Sequence, residues 1–240
     1  MTNKVLGIIP ARGGSKTIPR KNVRDFHGQP LLTWSVNAGL DSNVLDRLIL
    51  TTDDEEIADV GRQSGAEVPF MRPAELAADN SPSVPVFQHA ISWLREHDNY
   101  YPDYVVLLEP TSPGRRPFHI KEAVELLIAT GADSVASMAE IPSIFNPYWQ
   151  FVVKDEGVLE LFTGGSIKQI IRRRQDLPKT YTRNGVVYTH KTDLLFEDEP
   201  SIYGEDLRAY ITEPKYSLDI DTAEDWIVAE ELFHRVLESG

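Results

Sequence analysis

The chain has 240 residues and lacks cysteine altogether, which excludes disulfides and thiolate metal sites. A reducing cytoplasm is compatible with that absence. The chain also lacks any apolar run approaching the roughly 20 residues that a membrane helix needs. Met1–Lys4 leads directly into the apolar run Val5–Ile9 without the features of a secretory leader. We therefore expect a cytoplasmic protein with no membrane partner.

Basic residues are scarce as well: 24 Lys and Arg stand against 37 Asp and Glu, a net charge of −13. A general nucleic-acid binder normally carries a basic surface, so this balance disfavours nucleic acid as a partner. Five of the basic residues crowd into residues 12–24, and Arg172–Arg174 form a second cluster. Local positive charge on an acidic protein suits small anionic ligands. Over most of the remaining surface, we interpret the acid excess as a contribution to solubility.

Short apolar segments alternate with amphipathic ones over roughly the first 138 residues. Strands are predicted at 4–9, 47–52, 67–71, 104–109 and 133–138, and helices at 31–40, 55–64, 84–96 and 120–130. This alternation predicts an α/β fold with a Rossmann-like, mainly parallel sheet and helices on both faces. Such sheets bind ligands beyond the carboxyl ends of their strands.

The pattern changes after about residue 140. Apolar stretches at 148–153 and 158–162 flank a Lys-Asp-Glu-Gly turn and predict a hairpin, whereas 163–180 is polar and basic with little periodicity. A strand is predicted at 185–189 and a last helix at 223–237, with Thr222 or Asp221 as its N-cap. We interpret residues 1–240 as a single domain that carries an arm at about 141–180.

The most informative segment follows the first strand and runs Ile-Pro-Ala-Arg-Gly-Gly-Ser-Lys-Thr-Ile-Pro-Arg-Lys-Asn over residues 9–22. Gly13 and Gly14 let backbone N–H groups turn toward a ligand without Cβ obstruction, and Ser15 adds a hydroxyl donor. Three cations of this loop can neutralise a polyphosphate: Lys16, Arg20 and Lys21. The spacing is neither that of a Walker A loop nor G-x-G-x-x-G. A bare Gly-Gly is most often only a turn, but the accumulated basic charge favours phosphate binding here.

A pair of carboxylates precedes the last helix. Asp219 and Asp221 flank Ile220, and residues i and i+2 of an extended segment point to the same face. Two carboxylates on one face suit a hard cation such as Mg²⁺. Alternatively, Asp221 or Thr222 simply caps the helix. The isolated pattern leaves both interpretations open.

Six motifs in this order resemble those of the acylneuraminate cytidylyltransferases, the CMP-sialic acid synthetase family. They are the glycine-basic loop, TTDDEEIA at 51–58, RPAELA at 72–77, LEPTSP at 108–113, RQDLP at 174–178 with Asn184-Gly185, and DIDT at 219–222. The resemblance covers nearly the whole chain. It implies a fold of the nucleotide-diphospho-sugar transferase type and a homodimer in which the arm at 141–180 reaches toward the partner's site. Arg172–Arg174 would then close the neighbouring pocket, or else form an exposed basic turn.

The resemblance implies an enzyme that transfers CMP from CTP to the anomeric hydroxyl of an acidic, sialic acid-like nonulosonic sugar and releases pyrophosphate. The residues that it implies for catalysis are Lys21, Arg12 and Asp221, and those for Mg²⁺ are Asp219 and Asp221. Binding of the nucleotide is expected from Arg12, Gly13, Gly14, Ser15, Lys16, Lys21, Asn22, Arg72 and Ser83. Binding of the acceptor is expected from Glu109, Arg174, Gln175, Arg183 and Asn184.

Three departures from the family pattern concern the acceptor side. Glu109 stands where the family usually has glutamine; we hypothesise that it adds a carboxylate to the metal site or contacts an amine or hydroxyl of an unusual acceptor. The stretch 144–149 lacks the family's lysine, and Arg183 is displaced by one position, which on a strand reverses its face.

Two other functions remain as alternatives. One is a nucleotidyltransferase of the same fold with another acceptor or base, such as a guanylyltransferase acting on a sugar 1-phosphate. The other is a catalytically silent protein that binds a nucleotide-sugar.

Overall fold

Strands and helices alternate along the computed structural model, which describes residues 3–78 and 81–238. Its strands are β1 (Val5–Pro10), β2 (Asp25–Phe26), β3 (Gln29–Pro30), β4 (Arg47–Thr51), β5 (Tyr104–Leu107), β6 (Ser134–Glu140), β7 (Phe151–Val153), β8 (Leu159–Leu161), β9 (Tyr181–Lys191) and β10 (Leu207–Ile211). Its α-helices are α1 (Leu31–Asp41), α2 (Glu55–Ser64), α3 (Ser83–Asp98), α4 (Pro117–Thr130) and α5 (Ala223–Leu237).

The main sheet has the strand order β10-β6-β9-β5-β1-β4. Strand β1 pairs in parallel with β4 and β5, and β10 pairs in parallel with β6. Strand β9 alone among these six runs the other way, antiparallel to both β5 and β6. The predicted mainly parallel sheet is therefore confirmed. One edge collects the carboxyl ends of five strands and the amino end of β9.

Helices cover both faces of this sheet, as predicted. Alternate residues of β1 divide between the two layers: Val5 and Ile9 pack with α1, α2 and α4, whereas Leu6 and Ile8 pack with α3. Both faces of β1 are buried, which explains why its sequence is a continuous apolar run without polar alternation.

Helix α5 closes a third apolar cluster at the edge of the molecule. Its Trp226 and Phe233 meet Phe26 edge-on, with ring centroids 5.4 and 5.0 Å apart. Thr222 caps the helix: its hydroxyl accepts from the backbone N–H of Asp225, and the Asp225 carboxylate accepts from the N–H of Thr222. This reciprocal capping box confirms Thr222 as the N-cap.

Several boundaries differ from the sequence prediction. The strand predicted at 67–71 is wrong: it reduces to a single bridge between Ile49 and Glu67, because Pro69 has no N–H with which to continue a ladder. Strand β10 was not predicted, since most of its side chains are exposed at the sheet edge and the apolar signal is weak. Strand β9 begins at Tyr181, four residues before the predicted start.

Residues 141–180 lie outside the main sheet. Strands β7 and β8 form the predicted hairpin as a separate two-stranded sheet, and short 3₁₀ turns make up most of the rest. The hairpin and its flanks expose several apolar side chains, among them Ile144, Phe145, Val153 and Phe162. Within the described parts of the chain, no helix has both the length and the apolar character required to cross a membrane.

Phe233→Ala should lower the free energy of unfolding by about 3–5 kcal/mol, because the fully buried ring leaves a cavity between α5 and Phe26. Ile227→Ala on the same helix, where Ile227 is 68% exposed, should change it by no more than about 0.5 kcal/mol. Thermal melts followed by circular dichroism compare the two variants. Since 1 kcal/mol corresponds to about 2–4 °C for a chain of this size, only the first should shift clearly. Equal shifts would contradict the packing described for α5.

Candidate active site

Three loops meet at the carboxyl edge of the sheet. Residues 11–20 follow β1, Thr52-Asp53-Asp54 follows β4, and Glu109-Pro110-Thr111-Ser112 follows β5. Because β4, β1 and β5 are neighbours in parallel register, the loops at their ends are brought side by side. The ligand site predicted from the α/β pattern therefore lies at this edge.

The loop after β1 is anchored by acidic residues after β4. The N–H of Gly13 donates to Asp53 Oδ1 at 3.0 Å. Arg20 donates to both oxygens of Asp54, at 2.6 and 3.0 Å, and also pairs with Glu56. Asp54 in turn caps α2 by accepting from the N–H of Ile57. The hydrogen bonds from Arg20 lower the pKa of Asp54.

This network corrects one expectation about the loop. Arg20 was expected to help neutralise a polyphosphate, but its guanidinium is engaged by Asp54 and Glu56 and it does not line the cleft. The bidentate ion pair instead ties the loop to the start of α2.

A cavity of about 360 Å³ opens between this loop and the segment before α5. Its lining is Pro10, Arg12, Ser15, Lys16, Thr17, Lys21, Asn22, Pro110, Thr111 and Asp221. The structure thus brings most of the predicted nucleotide-side residues to one place, opposite one of the two predicted metal ligands. Cations on one wall and a carboxylate on the other suit a metal-bound anion.

Lys21 joins the two walls of this cavity. Its ammonium donates to the carbonyl oxygen of Ile220 at 2.7 Å and lies 3.2 Å from Asp221 Oδ1. Thr17 also donates its hydroxyl to the carbonyl oxygen of Asp221, at 2.5 Å. Asn22 donates its side-chain N–H to the carbonyl of Arg12 at 3.0 Å. This bond from Asn22 holds the start of the loop.

A second cavity, of about 270 Å³, shares Pro10 and Arg12 with the first and extends to Arg72 and Ser83. Arg72 is almost buried and donates to the hydroxyl and the carbonyl oxygen of Thr51. Burial lowers the pKa of Arg72 to about 10, so it stays protonated near neutral pH. The two adjoining cavities form one cleft with cations along its length.

Asp221 lines the cleft, whereas Asp219 lines a neighbouring cavity beside α5, and Ile220 between them is fully buried. Asp219 is exposed as a residue, but partial desolvation of its carboxyl raises its pKa, and the charge of Asp221 raises that pKa further. Because Thr222 and Asp225 already form the capping box, the helix start does not need Asp221 as a cap. Within residues 3–78 and 81–238 there is no group of three or more His, Asp or Glu that could hold a metal ion.

Glu109 lies half-buried on the wall formed by β5 and β9. A Cβ built on Gly185 would lie 3.2 Å from Glu109 Oε2 and 2.7 Å from Ser112 Oγ, so only glycine fits at this point of β9. Burial raises the pKa of Glu109; Asp219 also raises it, whereas Arg115 opposes the rise.

The predicted acceptor residues separate into distinct places. Arg183 donates to the hydroxyl of Tyr203 at 2.5 Å and is electrostatically coupled to Glu109. Asn184 is buried, and its amide nitrogen donates to the hydroxyls of Thr212 and Ser217. These bonds hold β9 to the end of β10, so the amide nitrogen of Asn184 serves the scaffold.

Arg174 lines a third cavity of about 630 Å³, between the arm and the ends of β6 and β10. Gln175 is exposed on the 3₁₀ turn Arg174–Asp176 and lines none of the cavities described here. Of the five predicted acceptor residues, the structure therefore brings together Glu109 and Arg183, with Asn184 as a support.

Arg115 is a site residue that the sequence prediction missed. It is 2% exposed and donates to the backbone carbonyl oxygens of Glu109, Gly185 and Val186. An arginine two residues after a Pro-Thr-Ser-Pro turn resembles an ordinary surface residue. The one available signal was its position, directly after a predicted site turn.

The sheet and its cationic cleft define an α/β protein of the nucleotidyltransferase type. In agreement with this, the fold is similar to a solved structure of CMP:2-keto-3-deoxy-manno-octonic acid synthetase complexed with CTP, with a TM-score of 0.69, coverage of 97% of this chain and 99% of that one, and 15% identity. At that identity the likeness concerns the fold alone.

The family follows from the sequence comparison. Residues 6–239 match the family model described as Cytidylyltransferase, and the chain belongs to this cytidylyltransferase family. It is 34% identical over 233 residues to the CMP-N,N'-diacetyllegionaminic acid synthase of Legionella pneumophila, covering 95% of this chain and 96% of the relative. It is also 34% identical to a pseudaminic acid cytidylyltransferase of Campylobacter jejuni, covering 96% of each.

Gly13→Ala should lower the free energy of unfolding by about 1–2 kcal/mol, as when a helix cap is lost. The added Cβ would lie 2.8 Å from Asp54 Oδ2 and must displace the residue that caps α2 and holds Arg20. Gly14→Ala is the matched control, because its Cβ meets nothing within 4 Å. Chemical denaturation without ligand measures both. A loss at Gly14 as large as at Gly13 would contradict the anchoring.

Glu109→Gln should raise the thermal stability of the metal-free protein increasingly as pH rises. The folded-state pKa of Glu109 lies above its ordinary value. Its contribution to stability is therefore most favourable below the ordinary glutamate pKa and declines as pH rises through the folded-state pKa. Glutamine does not titrate, so the variant does not show this decline. Melting temperatures in a chelating buffer from pH 4 to 8 measure the difference between Glu109→Gln and the wild type. The exposed Glu96→Gln controls for the lost charge. A difference independent of pH would contradict the prediction.

Proposed function

We propose that the protein transfers CMP from CTP to the anomeric hydroxyl of an acidic nonulosonic sugar and releases pyrophosphate. The observation that carries this proposal is the single cleft in which Arg12, Lys16 and Lys21 face Asp221. Support also comes from the two relatives named above, whose printed names state CMP- or cytidylyl-transfer chemistry on legionaminic and pseudaminic acids.

The cations of the cleft are suited to the triphosphate. Arg12 lies where the two nucleotide-side cavities join, so it can contact phosphate at the boundary between them. Lys21 is held by the carbonyl of Ile220 beside Asp221, which places a nearly buried positive charge at the reacting end. A charge fixed before the reaction stabilises a developing negative charge without reorganisation.

Asp219 and Asp221 fit a magnesium ion by their donor chemistry. Mg²⁺ binds through one or two carboxylates together with substrate phosphates, and Asp221 in the cleft, with Asp219 two residues before it, matches that requirement. When bound, the ion would neutralise phosphate charge and lower the pKa of the attacking hydroxyl. Among the described residues, Glu109 does not join the two aspartates in a group of three that could hold a metal ion.

The reaction forms one bond and breaks another at the α-phosphorus. The anomeric oxygen of the acid attacks the α-phosphorus, and the bond from this phosphorus to the bridging oxygen of pyrophosphate breaks. The hydroxyl proton leaves to a carboxylate of the cleft or to water. Among the described residues, no histidine lines either nucleotide-side cavity, so the candidate bases are carboxylates.

The acceptor is placed on the wall of β5 and β9, next to the aspartate pair. Arg183 supplies a guanidinium for the sugar carboxylate, and Tyr203 restrains it. Glu109 faces the same region and would accept from a hydroxyl or amine of the sugar or, when protonated, donate to it. The difference from the usual glutamine makes Glu109 the residue that selects the acceptor.

We further propose that the arm at about 141–180 pairs two copies of the chain. The arm exposes several large apolar side chains, among them Phe145 and Phe162. Clustered apolar surface of this kind is typical of a protein–protein interface. Arg174 lines the cavity between the arm and the main sheet of the same chain. A second copy bound to the arm would cover this cavity.

Pyrophosphate release with Mg²⁺, four nucleoside triphosphates and a panel of nonulosonic acids tests the function. We expect release with CTP plus one acid. Asp221→Ala should reduce turnover at least about 100-fold, as expected for loss of a group that stabilises the transition state. The exposed Asp198→Ala controls for loss of charge and should be near wild type.

Two results would overturn the proposal. Release with GTP and a sugar 1-phosphate would assign another base and acceptor. Nucleotide-sugar binding without release under any combination would indicate a silent binding protein.

A further inference from the structure

Arg115 is a buried cation whose hydrogen bonds all go to neutral groups of the protein. Nη1 donates to Ser35 Oγ at 2.8 Å, and Nη2 donates to the carbonyl oxygens of Glu109 at 2.9 Å and Gly185 at 3.1 Å. Nε donates to the carbonyl oxygen of Val186. The planar guanidinium therefore joins the turn after β5 to the first half of β9, at the acceptor wall.

Burial of a charged guanidinium costs free energy of folding unless hydrogen bonds or opposite charges compensate for the lost solvation. Within the described parts of the chain no carboxylate forms an ion pair with Arg115, and its burial lowers its pKa to about 10. The largest favourable electrostatic interaction of Arg115 is with Glu109. The charge is thus stabilised by carbonyl dipoles and by the side chain that we place against the acceptor.

The turn that carries Glu109 is fixed on its other side as well. A Cβ on Gly114 would lie 2.4 Å from the carbonyl oxygen of Tyr216, so the turn touches the backbone before the aspartate pair. The N–H of Ile220 donates to the carbonyl of Thr111 at 2.9 Å. The turn therefore packs between β9 and the segment 216–221, and the buried hydrogen bonds of Arg115 hold it to β9.

We propose that Arg115 is a positioning residue for the acceptor: it sets the Glu109 carboxyl and the Gly185 backbone in one fixed wall of the cleft. The proposal rests on the proposed function. The nucleotide side is anchored by other contacts, from Gly13 to Asp53 and from Arg72 to Thr51. Loss of Arg115 should therefore affect the acceptor more than CTP.

The test uses Arg115→Lys and Arg115→Met, each in the wild-type and in the Glu109→Gln background. In the wild-type background, Arg115→Met should lower kcat/KM for the acid at least about 10-fold, chiefly through KM, while the Kd of CTP stays within about 3-fold. Arg115→Lys keeps the positive charge but loses the planar guanidinium with its several N–H donors. The decrease in kcat/KM for the acid should therefore be smaller than for Arg115→Met. If Arg115→Met does not fold, Arg115→Lys carries the comparison.

The double variants separate positioning from general structure. Because the effect passes through Glu109, the loss from the Arg115 change should shrink in the Glu109→Gln background. Arg116→Met, at the start of α4, is the neighbouring arginine control and should leave both substrates near wild type. Equal losses for CTP and acid, or strictly additive losses, would overturn the proposal. Wild-type protein that transfers CMP to no acid would overturn the proposed function first, and the acceptor role with it.

Discussion

The reversed direction of β9 is the constraint on which the site depends. Because β9 runs antiparallel between β5 and β6, its amino end lies among their carboxyl ends. Arg183 and Gly185 therefore meet Glu109, although some 75 residues separate them along the chain. A parallel β9 would carry these residues to the opposite edge of the sheet, away from the loop after β1.

The cleft concentrates positive charge in a protein that is acidic overall, and acidic residues hold the loop that carries this positive charge. Asp53 and Asp54 hold the loop after β1 from one side, while the carbonyl of Ile220 holds Lys21 from the other. Two adjacent cations in the sequence thus have different roles: Arg20 holds the loop, and Lys21 lines the cleft. Backbone direction decides between them, since Arg20 adopts a left-handed conformation with φ 57° just before the turn that carries Lys21.

The acceptor wall shows how a change of residue type can be accommodated. Glutamate in place of an amide brings a carboxyl close to Asp219, where like charge and burial both raise its pKa. Arg115 opposes that rise from behind, through the interior of the protein. The chemistry that we propose for the acceptor wall is therefore set jointly by an exposed aspartate pair, a half-buried glutamate and a fully buried arginine.

The amino-acid sequence by itself determined the α/β class, most helices and strands, the hairpin in the arm and the start of the last helix at Asp221 or Thr222. These depend on local periodicity, on glycine and proline, and on short-range hydrogen bonds. The ordered motifs also contain most of the residues that line the cleft. Only the tertiary structure decided the direction of β9, the use of Arg20 by Asp54 and the burial of Arg115. Each of these depends on partners 30 or more residues away or on a neighbouring strand, and no local pattern encodes which distant group will occupy that position.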